Sequence, residues 1–93
     1  MAIAVETTFP GGTLDEYDGL LEQLGFHPQG EAEPGCLFHW VTKTEDGTRA
    51  VDVWESTEAF TRFLDERLGP VLCDRGLARP QVRIQAVHSY LIA

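Results

Sequence analysis

Three side chains near the middle of the chain have the chemistry of a proton-transfer site: His39, Asp52 and Trp54. They lie in two β-rich runs, CLFHWVTKT (36–44) and TRAVDVWE (48–55), separated by EDG. That arrangement reads as a hairpin. Alternation along the second run puts Ala50, Asp52 and Trp54 on one face, opposite Val51, Val53 and Glu55. A carboxylate therefore shares a face with the largest aromatic side chain. If that face is covered, Asp52 must find a donor or hold its proton, because an unpaired buried charge is costly. His39 is its natural partner, and a His–Asp pair beside a Trp is an acid/base constellation. A purely structural role, with Asp52 bonded to the backbone or to a Tyr hydroxyl, remains open from the residues alone.

The turn decides what else joins this face. A two-residue Asp46-Gly47 turn pairs Glu45 with Thr48, setting His39 opposite Trp54 with Asp52 on the diagonal. A three-residue loop pairs Thr44 with Thr48 instead. Phe38 then faces Trp54, and Trp40 faces Asp52. The two-residue turn is the preferred register. His39 and Asp52 are thus the candidate catalytic pair, with Trp54, Phe60, Tyr17 and Phe38 as candidate walls of a ligand pocket. The residues favour a core role for Tyr17, a loop in solvent for His27 and a half-exposed strand for His88.

Elements that would position these residues can be read along the chain. AIAVETTF (2–9) is β-rich and is broken by PGG. Thr13 followed by Glu16 has the form of a capping box, so a helix should begin at Leu14. Leu14, Tyr17, Leu21 and Leu24 recur at helical spacing, and Gly25 suits a C-terminal stop. HPQGEAEPG (27–35) is a polar connection. Ser56 is the expected N-cap of a second helix whose inner stripe is Phe60, Phe63, Leu64, Arg67 and Leu68. Pro70 interrupts that pattern, and PVLCDR (70–75) would form a further turn ending at Gly76. PQVRIQAVHSYLIA (80–93) reads as the last strand. The order β-α-β-β-α-β predicts an α+β, ferredoxin-like fold, an antiparallel sheet with two helices on one face.

A chain of 93 residues with 43% apolar content makes one domain, 1–93. So short a chain buries only about 60% of its unfolded surface, and its own core is marginal. The last strand is apolar at Val82, Ile84 and Ala86 on one side and at Val87 and Leu91 on the other. Helices are available for only one face of the sheet, so a second copy of the chain is the economical cover for the other, and a homodimer is expected. A net charge of −8 with seven basic residues excludes a phosphate-backbone partner, and no nucleic acid is expected. No apolar run approaches the ~20 residues of a membrane helix, so no membrane partner is expected. Cys36 and Cys73 lack metal spacing and read as reduced thiols of a cytoplasmic protein. No cofactor, metal or haem is expected, since His27, His39 and His88 are far apart.

The run RAVDVWESTEAFTRFLDERLGPVL (49–72), preceded by GGTLDEYDGLLEQLG and LFHW, resembles the dimeric α/β-barrel superfamily, nearest to small bacterial proteins related to antibiotic biosynthesis monooxygenases. The VWES-x-EAF strand-to-helix junction carries most of the likeness. The resemblance implies two ferredoxin-like subunits joining their sheets, with a small-molecule cavity between each sheet and its helices. It implies cofactor-free monooxygenation of phenolic or polyketide-like compounds, a cyclase or isomerase reaction, or binding without chemistry. Trp54 matches the tryptophan that haem-degrading members place in their cavity. Those enzymes also use an Asn on the first strand and a His in the second helix, where this chain has VETTF and FTRFL. That departure argues against haem degradation. On this reading Asp52 and Trp54 face a cavity closed but not filled by the helices. Glu6, or in the opposite phase Val5 and Thr7, adds to its lining.

Overall fold

The computed structural model describes residues 1–92. The order is β1 (Ile3–Pro10), α1 (Leu14–Leu24), β2 (Cys36–Thr44), β3 (Gly47–Trp54), α2 (Thr57–Phe63), a π-helical turn (Leu64–Leu68), α3 (Gly69–Asp74) and β4 (Gln81–Ala86). The four strands form one antiparallel sheet in the order β2-β3-β1-β4. That is the expected ferredoxin-like arrangement, with α2, the π turn and α3 acting as one continuous second helix.

Local chemistry explains the helix ends. Thr13 accepts the Glu16 backbone N–H at 3.0 Å, while the Glu16 carboxylate accepts the Thr13 N–H at 3.0 Å. Two of the donors that a helix start leaves unpaired are thereby satisfied reciprocally. Gly25 closes α1 at φ 89°, a conformation costly for residues with a Cβ. The buried stripe of α1 is Tyr17, Leu20 and Leu24, with Leu14 exposed, so the helix is turned slightly from the expected phase. Ser56 caps α2 through the Ala59 N–H at 3.1 Å. Pro70 does not break the second helix. Having no N–H, it cannot bond back to Glu66, and the turn before it widens so that the Gly69 N–H reaches Leu64 O, five residues back.

The hairpin corrects the expected register. Thr44 pairs with Gly47, so the two turn residues are Glu45 and Asp46, and neither expected turn is formed. A physical reason lies in β1. The Gly11 N–H donates to Asp46 O at 2.6 Å, and a Cβ on Gly47 would lie 2.2 Å from Phe9 O. Gly47 thus permits close strand approach and is not spent on turn conformation. Pairing slides by two residues from the preferred register, which leaves the faces unchanged and sets His39 directly across from Asp52. A register shift between Cys36 and Phe38 marks a bulge that sets Cys36 opposite Trp54.

On the helix side, Ile3, Val5, Trp54 and Phe60 form one buried cluster, and Leu20, Leu24, Leu68 and Leu72 form a second. Phe63 and Leu64 touch both and join them. β4 ends at Ala86, well short of the expected strand end. The Val87 N–H still donates to Ala2 O, but β1 begins at Ile3 and offers no strand beyond it. Val82 and Ile84 lie on the helix side, paired with buried Thr7 and Val5, yet are 37% and 46% exposed at the sheet edge. Among the described residues no helix is long and apolar enough to cross a membrane.

Candidate functional site

β3 presents Asp52 and Trp54 to the helices, β2 presents His39 from the neighbouring strand, and α1 lowers Tyr17 onto them. His39 pairs with Asp52 in the ladder, so their side chains leave the sheet side by side. The His39 Nδ1 bonds Asp52 Oδ1, and the Tyr17 hydroxyl bonds His39 Nε2. The Trp54 indole N–H donates to Asp52 Oδ2 at 3.2 Å. Tyr17 and His39 hold their rings within 6° of parallel.

With a neutral imidazole, these contacts are satisfied by one order of donors and acceptors. An indole N–H can only donate, so a carboxylate at position 52 is its acceptor. The second carboxylate oxygen accepts from His39 Nδ1–H. In neutral imidazole that leaves Nε2 bare, and the Tyr17 O–H donates to it. The result is an ordered line, Tyr17 to His39 to Asp52, with Trp54 steadying the carboxylate. Asp52 is 8% exposed and Tyr17 5%. Burial, reinforced by the Asp52 charge, raises the Tyr17 pKa far above that of a free phenol. The same causes push the Cys36 thiol up to about 12, so it is no resting nucleophile.

The expected site residues fall into three groups. Tyr17, His39, Asp52 and Trp54 are joined. Phe60 is close by, packed edge-on against Trp54 with ring centroids 5.6 Å apart. Phe38 is not part of the site. Alternation with His39 leaves it paired with Val53 on the helix-free face, 57% exposed. Of the two phases considered for β1, the structure has Val5 and Thr7 toward the helices and Glu6 away from them. The space expected in front of Trp54 is filled. Phe60 and Phe63 pack against the indole, the latter with centroids 5.4 Å apart, and Trp54 is 1% exposed.

Open space lies at the other end of the line. A cleft of about 240 Å³ runs between the end of β1, the first turns of α1 and the α3–β4 connection. Phe9, Tyr17, Leu20, Thr48, Leu77 and Ala78 are among its walls. Sequence reasoning missed Phe9, Thr48 and Leu77. They come together only through tertiary packing, and no local signal marks them. Among the described residues no group of three or more His, Cys, Asp or Glu side chains is placed to hold a metal ion.

No family model matches the chain, and no curated protein resembles it closely in sequence. Solved structures do. SnoaB, a cofactor-independent oxygenase from Streptomyces nogalater, is 19% identical, with TM-score 0.63 over 97% of this chain and 95% of its own. A candidate antibiotic biosynthesis monooxygenase from Chloroflexus aurantiacus is 21% identical, with TM-score 0.63 and full coverage of both chains. An EthD-like protein from Ralstonia eutropha is 14% identical, with TM-score 0.63 over 95% of this chain and 93% of its own. At such identities the likeness is one of fold. The chain has the ferredoxin-like fold shared by antibiotic-biosynthesis-monooxygenase-like proteins.

Proposed function

We propose that this protein binds a small aromatic ligand and acts as a cofactor-independent monooxygenase on phenolic or polyketide-like compounds, with His39 as general base and Asp52 as its orienting carboxylate. The observation that carries the reading is the Tyr17–His39–Asp52 line of hydrogen bonds on the covered face of the sheet. Removing a phenolic proton raises electron density on the ring, which allows direct reaction with dioxygen. A phenol plus O₂ then gives a quinone plus water, one oxygen entering the ring and the other leaving as water. The fold shared with SnoaB, itself a cofactor-independent oxygenase, supports the proposal.

The same proton removal without oxygen would serve a cyclase or isomerase. A binding protein without chemistry is favoured by a different observation: every polar atom of the line is satisfied internally, and Trp54 is sealed in the core. Oxygen uptake separates the readings. With monohydroxy- and dihydroxynaphthalenes and no added cofactor, the oxygenase consumes one O₂ per phenol. His39→Gln and Asp52→Asn lower kcat by ~10²–10⁴. Product formation without oxygen uptake would favour the cyclase or isomerase, and binding without any product the inert reading.

The working unit in this proposal is a homodimer. The helix-free face carries Phe38 and Trp40, 57% and 42% exposed, beside Val51 and Val53. Tyr90, Leu91 and Ile92 are also exposed, at 47%, 100% and 62%. Arg49 on the same face has its Nε buried without a hydrogen-bond partner. A second copy would cover the apolar residues.

A further inference from the structure

We infer that the ligand site is the cleft at the start of α1, that its ligand is an uncharged planar phenol or enol, and that Tyr17 is the residue that meets the ligand and relays its proton to His39. This rests on the proposed role of His39 as base and assigns the route by which a ligand reaches it.

Position makes the first argument. Of the four joined residues, Tyr17 alone lines the cleft. His39 Nε2 is already engaged by the Tyr17 hydroxyl. Asp52 and Trp54 lie further along the line, Asp52 bonded to His39 and Trp54 packed against Phe60 and Phe63. Tyr17 is therefore the member of the line that a molecule in the cleft touches, while the His39 side chain is separately 30% exposed.

Chemistry of the walls selects the ligand. Phe9, Leu20 and Leu77 provide apolar surface, and Tyr17 and Thr48, which carry hydroxyls, stand in the same wall. No Lys or Arg lines the cleft, and the Glu16 carboxylate lies at its edge, committed to the Thr13 N–H. A carboxylate or phosphate would meet no cation there and an unfavourable charge. At about 240 Å³ the cleft is smaller than the ~300–1,000 Å³ of sites for drug-sized ligands. It suits one or two rings, or one end of a larger molecule.

Tyr17 cannot serve as the resting base, because burial beside Asp52 keeps its phenol protonated. It can pass a proton on. As the ligand O–H breaks, its proton bonds to the Tyr17 oxygen, and the original Tyr17 proton moves to His39 Nε2. Tyr17 ends unchanged, the ligand becomes a phenolate or enolate, and the imidazolium is stabilised by Asp52. No electrons change hands in this step.

The test pairs two probes with two substitutions, each variant first checked for folding by far-UV circular dichroism. 2-Naphthol and its O-methyl ether, 2-methoxynaphthalene, differ only in the hydroxyl. Wild type should bind 2-naphthol at least 5-fold more tightly, and Tyr17→Phe, which keeps the ring, should erase that gap. Ala78→Trp, at an exposed cleft wall, should weaken both probes at least 10-fold while leaving the His39 ring resonances in place. A gap that survives Tyr17→Phe, binding that ignores Ala78→Trp, or no binding to wild type at millimolar probe would overturn the inference. Turnover that needs His39 but is indifferent to Ala78→Trp would sink the cleft and spare the function. The expected binding pattern without turnover of any phenol would do the reverse.

Discussion

Asp52→Asn is the substitution most sensitive to the hydrogen-bonded line. It is nearly isosteric but replaces one acceptor oxygen with a donor. The remaining oxygen can keep the Trp54 N–H. The new amide must then donate to His39 Nδ1, forcing the ring proton onto Nε2, where it faces the Tyr17 oxygen. The Tyr17 O–H is left without its acceptor. Two bonds to a charged group, worth ~1.5–3 kcal/mol each, become neutral bonds worth ~0.5–1.5, and one buried donor is stranded. The expected loss is about 3–6 kcal/mol, or at least roughly 12 °C in melting temperature for a domain of this size. Urea titrations followed by circular dichroism at fixed protein concentration measure it. A cycle with Tyr17→Phe adds a sharper criterion. Tyr17 bonds His39 and not Asp52, yet the two substitutions should couple by ~0.5–1.5 kcal/mol through the His39 tautomer. A melting temperature unchanged by Asp52→Asn, or additivity within ~0.3 kcal/mol, would refute the reasoning.

Other outcomes follow from the same structure. Tyr17 and Cys36 both have raised folded-state pKa values, Cys36 to about 12 from 9.0, so above pH 9 the unfolded chain loses protons that the folded chain retains. The contribution of these two groups should be constant below that point and fall as pH rises, by up to ~1.4 kcal/mol per pH unit for each, with Tyr17→Phe shallower above pH 10 in pH-dependent urea melts. Gly47→Ala should cost at least ~2–3 kcal/mol, because its Cβ would press on Phe9 O and part β1 from β3. Gly11→Ala, at φ 73° with open space around the new methyl, should cost only ~1–2, and thermal melts would show the contrast. Sedimentation at micromolar concentration should give a particle of twice the chain mass of 10.3 kDa, with more than ~1,200 Å² buried. A stable monomer would contradict the dimer.

Much of the fold is legible in the sequence because its signals are local. The Thr13–Glu16 capping box, the Ser56 cap, Gly25 and the alternation around Asp52 each act within a few residues, and each element they mark is present. The faces of the preferred register survived even though the pairing moved, since a slip of two residues returns every side chain to the same side, while the alternative that brought Phe38 to Trp54 did not. What was not legible is tertiary. Gly47 looks like a turn glycine and is instead held by the end of β1. Phe63, from the second helix, fills the space before Trp54. The Tyr17 hydroxyl falls on His39 because of how α1 crosses the sheet, and helical periodicity reports only that Tyr17 faces inward. The last strand reads as apolar to its end, but strands need partners, and β1 stops first.

The central claim is that Asp52 holds His39 with its proton on Nδ1, leaving Nε2 to take a proton delivered through Tyr17. Nitrogen-15 spectra of the three histidine rings at pH 8 test it most directly. The account predicts that His39, unlike exposed His27 and His88, shows a single protonated Nδ1 with a bare Nε2, and that Asp52→Asn moves the proton to Nε2. Addition of 2-naphthol should shift Nε2 toward its protonated value in wild type and not in Tyr17→Phe. A proton on Nε2 in the unliganded wild type, or a His39 ring averaging between tautomers like its exposed counterparts, would contradict it.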